Sequence, residues 1–221
     1  MKTRDKILAV ALQQFNDRGA NAVSIRDIAG EIGISPGNLT YHFKNTDAIV
    51  HALYLNLVTE LSETIAKVQQ PGINVRLLVE ESERTFRVMY RYKFLLLDFV
   101  AITRRITELR DHFRSLIALR QQQFKISIDW MIAEGILHKE WAPGLYDQFL
   151  LRAIILTDAW IPDAEIHFDE KDDSVIFFYT QLFVSSLVPF FTEEGLRQYY
   201  QILAARPELS YRGYHHMPLA E

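Results

Sequence analysis

Residues 24–43 read SIRDIAGEIGISPGNLTYHF. Ile25, Ile28, Ala29 and Ile32 recur at helical spacing, which predicts a short amphipathic helix. Ser24 opens it, with Asp27 three residues on as a short capping box. Gly33 stops it. Ser35 caps the next helix, and Pro36 takes the first helical position, where a missing N–H costs nothing. In that second helix only Leu39 and Phe43 share an inward face. Ser35, Gly37, Asn38, Thr40, Tyr41 and His42 turn outward. Two short helices across a glycine-containing turn form a helix-turn-helix, whose second helix enters the DNA major groove. The outward residues are small or neutral hydrogen-bonders, suited to base edges and phosphates. Backbone N–H groups beside Ser35 suit a phosphate as well. The competing reading is plain helix packing, which a short helix-turn-helix in an all-α chain also satisfies.

The flanks extend the helical pattern. Ile7, Leu8, Ala11, Leu12 and Phe15 lie on one face of a helix that Thr3 is expected to cap and Gly19 to end. Asn45 is expected to cap a fourth helix, running through Ile49, Leu53, Leu57, Leu61 and Ile65 to Pro71-Gly72. Further helices are expected at about 74–92, 93–105, 107–134, 144–160, 172–190 and 193–205, between breaks at Gly135, Pro143-Gly144, Pro162 and Gly195. Residues 162–173 read as a loop, and the chain from Pro207 to Glu221 has no periodicity. No stretch alternates as a strand does. The fold class is therefore all-α: an N-terminal helix-turn-helix domain over 1–50, a larger helical domain over 51–206, and a tail over 207–221.

This N-terminal stretch resembles the DNA-binding domain of the tetracycline-repressor (TetR) family. The residues that carry the resemblance are Ile7, Leu8, Ala11, Phe15 and Gly19, then Ile28, Ala29 and Gly33, then Ser35, Gly37, Leu39, Tyr41, His42, Phe43 and Lys44. It covers roughly residues 3–53. The resemblance implies a role for each matching position. Arg26 contacts a base from the helix before the turn, unless it pairs with Asp27 or Glu31 instead. Ser35, Pro36, Gly37 and Asn38 begin the recognition helix. Tyr41 and His42 hold the DNA backbone, with packing as the other reading of Tyr41. Lys44 precedes a fourth helix whose N-terminus faces a phosphate. Two positions depart from the family: Thr40 replaces a usual Tyr, and Thr46 a usual Lys. Both are commonly phosphate contacts, so nonspecific affinity and its salt dependence should fall, by about one unit of slope per lost cationic contact.

Two later stretches are apolar almost all round: 149–161, with Phe149, Leu150, Ile154 and Trp160, and 175–191, with Phe178, Leu182 and Phe183. Such helices must be covered on two sides. The family forms a four-helix bundle between subunits from its last long helices. The resemblance therefore implies a homodimer, with Leu150, Ile154, Trp160, Phe178, Leu182 and Phe183 as interface candidates; a monomeric core is the other reading. Phe86, Met89, Tyr90, Phe94, Phe99, Phe113 and Trp130 are candidates for the small-molecule effector pocket that the resemblance implies, and core packing would also explain them. A ligand-driven population shift would then change operator affinity.

Composition sets the bounds. The chain has 221 residues, 49% hydrophobic and 24% charged, which is ordinary for a globular protein. Cysteine is absent, which excludes disulfides, thiolate metal sites and cysteine nucleophiles. The net charge of −4 argues against a general polyanion binder but not against a local patch. The longest apolar run, Ile7 to Leu12, has six residues, against about 20 for a membrane helix. A soluble, cytoplasmic protein without a signal peptide or membrane partner is expected. Catalytic and nucleotide-cradling motifs are missing, and no cofactor or metal is implied. Asp169, Glu170, Asp172 and Asp173 lack the glycine and spacing of a calcium loop and read as a solvated helix start. Arg104, Arg105 and Arg110 read as an exposed face, or as partners for an anionic effector. His215-His216 falls in the tail. Together these readings predict a homodimeric, ligand-responsive DNA-binding regulator, a repressor released by a small organic effector. The alternative is a helical sensor module without DNA binding.

Overall fold

The computed structural model describes residues 2–209 and Tyr214; His215 and His216 lie outside them. The described residues form eleven α-helices and no named strand: α1 Thr3–Arg18, α2 Ile25–Glu31, α3 Pro36–His42, α4 Thr46–Lys67, α5 Val75–Arg91, α6 Lys93–Leu97, α7 Phe99–Arg105, α8 Thr107–Ala133, α9 Leu145–His167, α10 Asp173–Ser185 and α11 Glu193–Ala205. Short 3-10 turns lie at Ala20–Ala22 and Val188–Phe190. The chain divides into two compact units, one of residues 1–60 with 89–115, the other of 61–88 with 116–221.

The first unit is built on the apolar faces that the spacing marks. Ile7, Ala11 and Phe15 of α1, Ile28 and Ala29 of α2, Leu39 of α3 and Ile49 of α4 are all fully buried. Each large aliphatic burial of this kind stabilises by about 1.5–3 kcal/mol. Phe94, Leu95, Ile102 and Leu109 are buried in the same unit. The second unit has its own core, which includes Ile73, Val75, Val79, Ile128, Met131, Phe149, Val184, Tyr199 and Ile202.

Several expected boundaries are corrected: the helix expected over 172–190 ends at Ser185, with a separate 3-10 turn at Val188–Phe190, and Gly195 lies inside α11 rather than at a break. Lys2, not Thr3, stands at the cap of α1, and no side chain caps it; Thr3 is already helical. The stretch 93–105 is two helices, because Asp98 leaves helical geometry at φ −104 and ψ 17 without a Gly or Pro to announce it. Pro162 does not end α9, which continues to His167. An interior proline loses one hydrogen bond and strains the preceding turn, at about 3 kcal/mol. The buried Trp160, Ile161 and Ala164 around it offset that cost.

One stretch, Asp173–Phe190, is apolar and long enough by composition to cross a membrane. Helix α10 within it has only 13 residues, about 20 Å at 1.5 Å per residue, and half of the stretch is buried in the protein.

Candidate nucleic-acid interface

The site begins at the cap of α2. Ser24 Oγ accepts from the Asp27 backbone N–H at 3.2 Å. In return the Ser24 backbone N–H and hydroxyl donate to Asp27 Oδ2 at 2.7 and 2.6 Å. This closed capping box fixes where α2 starts. Those bonds, the hydroxyl's first, and the nearby Arg18 charge hold the Asp27 carboxyl below its ordinary pKa.

The far end of α2 is equally defined. Gly33 sits at φ +71, the left-handed region open mainly to glycine. The Gly33 N–H donates to the Gly30 carbonyl at 3.2 Å, and the Ile34 N–H to the Ala29 carbonyl at 3.0 Å. Both bonds of a Schellman cap are therefore present. The cap reverses the chain within three residues, so α3 starts immediately after it. Ser35 Oγ accepts from the Asn38 N–H at 3.1 Å, with Pro36 at the first helical position.

Helix α3 is then seated by two side chains. Leu39 is fully buried, and Phe43, just past its end, nearly so. Ser35, Pro36, Gly37, Asn38, Thr40, Tyr41 and Lys44 are exposed, and His42 is half-buried. Tyr41 is 86% exposed, so it is not a core residue; its ring meets the His42 ring edge-on at 5.3 Å. The Thr40 hydroxyl donates to the Gly37 carbonyl at 3.0 Å. Arg26 is exposed, and among the described residues it makes no ion pair with Asp27 or Glu31. Asn45 Oδ1 accepts from the Ala48 N–H at 2.9 Å, capping α4 as its sequence position predicts. Arg4 lies over the Phe43 ring at 5.2 Å; it adds a cation beside α3 that no pattern in the residue order singles out. The result is a polar, exposed ridge on a rigid turn.

The seven effector candidates are shared between the two units. Met89, Tyr90, Phe94, Phe99 and Phe113 belong to the first unit, and Phe86 and Trp130 to the second. Phe94 packs on Phe15 at 5.1 Å and Phe99 on Phe113 at 4.7 Å. Tyr90 is half-buried beneath the Lys93 ammonium, and Met89 is buried. Phe86 is ringed by Trp160, Tyr179 and Phe183 at 5.2, 6.5 and 6.2 Å. Trp130 is half-buried against the second core.

Of the interface candidates, Trp160, Phe178 and Leu150 are buried within the chain's own second unit, while Ile154, Leu182 and Phe183 are half-buried. The large apolar residues that α9 leaves exposed are Leu151, Ile155 and Ile166. At 100° per residue they fall within about 60° of one another around the helix.

The acidic stretch has structural roles. Asp172 caps α10 by accepting from the Ser174 N–H at 2.9 Å, and Asp173 pairs with Arg87 at 2.6 Å. Among the described residues no group of three or more His, Asp or Glu is gathered to hold a metal ion. Arg110 pairs with its neighbour Asp111 at 3.0 Å.

These features define a helix-turn-helix headpiece followed along the chain by a helical body. The family model described as bacterial regulatory proteins, tetR family, matches residues 7–53, and the TetR model described as bacterial transcriptional repressor matches residues 56–199. The chain belongs to the TetR family of transcriptional regulators. A transcriptional repressor, KstR2 of Mycolicibacterium smegmatis, is 45% identical over 47 residues, 21% of this chain and 23% of that protein. The match thus spans under a quarter of that curated relative. A TetR-family regulator from Marinobacter aquaeolei VT8 has the same fold, with a TM-score of 0.79 and 23% identity over 95% of this chain and 99% of that one. A chain from Saccharomonospora viridis described as a transcriptional regulator, solved in complex with choline, follows with a TM-score of 0.66 and 20% identity over 86% and 97%.

Proposed function

We propose that this protein is a homodimeric transcriptional repressor that binds a double-stranded DNA operator and is released from it by a small organic effector. The observation that carries this reading is the exposed polar ridge of α3, held by a closed capping box and a glycine cap. Asn38 and Tyr41 are exposed on the outward face of α3, and a polar outward face of this kind suits a major groove. Arg26, Ser35, Pro36, Gly37, Asn38, Thr40, Tyr41, His42 and Lys44 form the contact set. Arg26 and Asn38 read bases, and Tyr41, His42 and Lys44 hold the backbone. The protein works in the cytoplasm and has no catalytic role.

The dimer forms through α9 and α10. Leu151, Ile155 and Ile166, exposed on one face of α9, make its apolar contact, flanked by Ile154, Leu182 and Phe183. Dimerisation brings two recognition helices to half-sites about 34 Å apart or a multiple of it. The effector binds among the aromatic side chains of the helical body. Phe86, inside its ring of Trp160, Tyr179 and Phe183, is the best placed of them. The choline complex of the Saccharomonospora viridis relative supports a small organic ligand as its class.

A second reading, a sensor module that does not bind DNA, draws on Thr40 and Thr46, where two common phosphate contacts are replaced. One experiment separates the two. A fluorescence-anisotropy titration uses DNA from upstream of the protein's own gene and a scrambled control, at two salt concentrations. Tight, sequence-dependent binding by a dimer is the expected result. Equal weak binding to both DNAs leaves the operator to be selected from random sequence. An absence of binding at low salt favours the sensor reading.

A further inference from the structure

We propose that Asp163, His167, Phe168 and Phe178 form a binding slot for a small phenol, that Tyr214 fills it as a ligand carried on the chain itself, and that a free phenol competes with Tyr214 for it. Its regulatory meaning rests on the ligand-responsive reading above, for which it names an effector class; the binding itself does not. All five residues belong to the second unit.

The slot is built by two helices. Asp163 and His167 stand one turn apart on α9, Phe168 closes that helix, and Phe178 and Tyr179 lie on α10. Phe168, Phe178 and Tyr179 are buried. Phe168 meets Phe178 edge-on at 5.3 Å and Tyr179 at 6.0 Å, so this wall is fixed by its own packing. The Tyr179 hydroxyl donates to Asp163 Oδ2, which leaves Oδ1 for a second hydroxyl. His167 Nε2 lies 3.6 Å from the same Oδ1, and a carboxylate oxygen has lone pairs for both.

Tyr214 supplies the second hydroxyl. It lies outside any helix, beyond Arg206 at the end of α11. Its ring stacks on the His167 ring at 4.6 Å and 23° and on Phe178 at 5.0 Å and 7°, and it meets Phe168 edge-on at 5.8 Å. Its hydroxyl donates to Asp163 Oδ1 at 3.3 Å. Stacked and edge-on rings are the arrangements that aromatic quadrupoles favour, and a carboxylate is the stronger kind of acceptor for a hydroxyl. Burial first, then the Asp163 carboxylate, raises the pKa of the Tyr214 phenol, so it stays a donor at neutral pH. Each of these four contacts is made by the ring or the hydroxyl. Free p-cresol, the tyrosine side chain without its backbone, can make all four. Asp163, His167 and Tyr214 are half-buried, so the slot reaches solvent. A tethered Tyr214 competes at an effective concentration of the order of millimolar. It lowers the apparent affinity for a free phenol by the fraction of molecules whose slot is open.

The test is isothermal titration calorimetry of the full chain with p-cresol, without DNA. Tyr214→Ala should bind p-cresol about tenfold or more tightly than wild type, because the internal competitor is gone. In the Tyr214→Ala background, His167→Ala and Asp163→Asn should each weaken p-cresol about tenfold, through the lost stack and the lost charged acceptor. The ether p-methylanisole, with the same ring and no O–H, should bind Tyr214→Ala about tenfold more weakly than p-cresol does. Tyr214→Phe, which keeps the ring and removes the donor, covers the case in which Tyr214→Ala melts early; it should bind p-cresol about threefold more tightly than wild type. Equal p-cresol affinity in wild type and the folded Tyr214 variants overturns the proposal, and so does equal affinity for the ether. Either result leaves the regulator reading intact. Selection of no operator from random DNA overturns the regulator reading and leaves the phenol slot standing.

Discussion

Helices α3 and α9 both present side chains that their own unit does not bury, and the two surplus faces differ in kind. Helix α3 spends one fully buried side chain, Leu39, on its seat and turns Asn38, Thr40 and Tyr41 to solvent. Helix α9 buries Phe149, Leu150, Ala153, Trp160, Ile161 and Ala164 and still leaves Leu151, Ile155 and Ile166 exposed. A polar surplus on a seven-residue helix suits a hydrated, hydrogen-bonding surface such as a DNA groove. An apolar surplus along a 23-residue helix suits a second protein surface, since a stripe of exposed aliphatics gains by leaving water. The chemistry of the exposed face, not the depth of the buried one, names the partner.

The comparison can be broken most severely on α9. Leu151→Asp/Ile155→Asp should give monomers by light scattering and lower affinity for a two-half-site operator about 100-fold or more, because the second headpiece no longer binds intramolecularly. Fold stability should hold, since both residues are 59% exposed. Trp160→Ala on the same helix should do the reverse. It should cost about 3–5 kcal/mol in denaturant unfolding, because that side chain is enclosed in its own subunit. If both variants behave alike, the division of α9 into inner and outer faces is wrong.

On α3 the effects are smaller and more specific. Asn38→Ala should cost about 1–3 kcal/mol at the base it reads and relax selection there, with no change in melting temperature. Gly33→Ala places a side chain at φ +71, at a cost of about 1–2 kcal/mol. A Cβ there meets nothing within 4 Å, so the penalty is backbone strain alone, and thermal melting should register it.

The smallest effect sharpens the account of α2. Ser24→Ala removes the cap, for about 1 kcal/mol near neutral pH. The folded-state pKa of Asp27 is depressed. Its stabilising contribution is therefore complete above the unfolded carboxylate value of about 3.9 and is lost as pH falls through the lower folded value. Wild type and Ser24→Ala should therefore converge in stability on acidification. A gap that stays constant down to pH 2 would show that the carboxylate plays no part in the cap.

Much of the headpiece was legible because its signals are local. A capping serine, a glycine stop and a proline at the first helical position act within four residues, and the structure places each where the spacing does. The split at Asp98 and the continuation of α9 through Pro162 were not legible. Both depend on burial of residues such as Trp160 and Phe94 against partners distant in the chain. The aromatic candidates show the same limit. Phe94 and Phe86 look alike in sequence, yet one packs on Phe15 in the first unit and the other on Trp160 in the second. Arg105 read as part of an exposed face, while its partners Asn21 and Asp47 are 84 and 58 residues away.

Helical period and cap chemistry are short-range properties, so the order of residues alone set the all-α class, the helix-turn-helix, the caps of α2, α3 and α4 and the family, though not the cap of α1. Long-range packing, by contrast, settles which apolar residues of α9 face outward, that residues 89–115 join the headpiece in one unit, and that Asn16 and Arg105 bond across it. Those outcomes depend on which distant surfaces meet, and a helical period fixes the faces of a helix without saying what each face will touch.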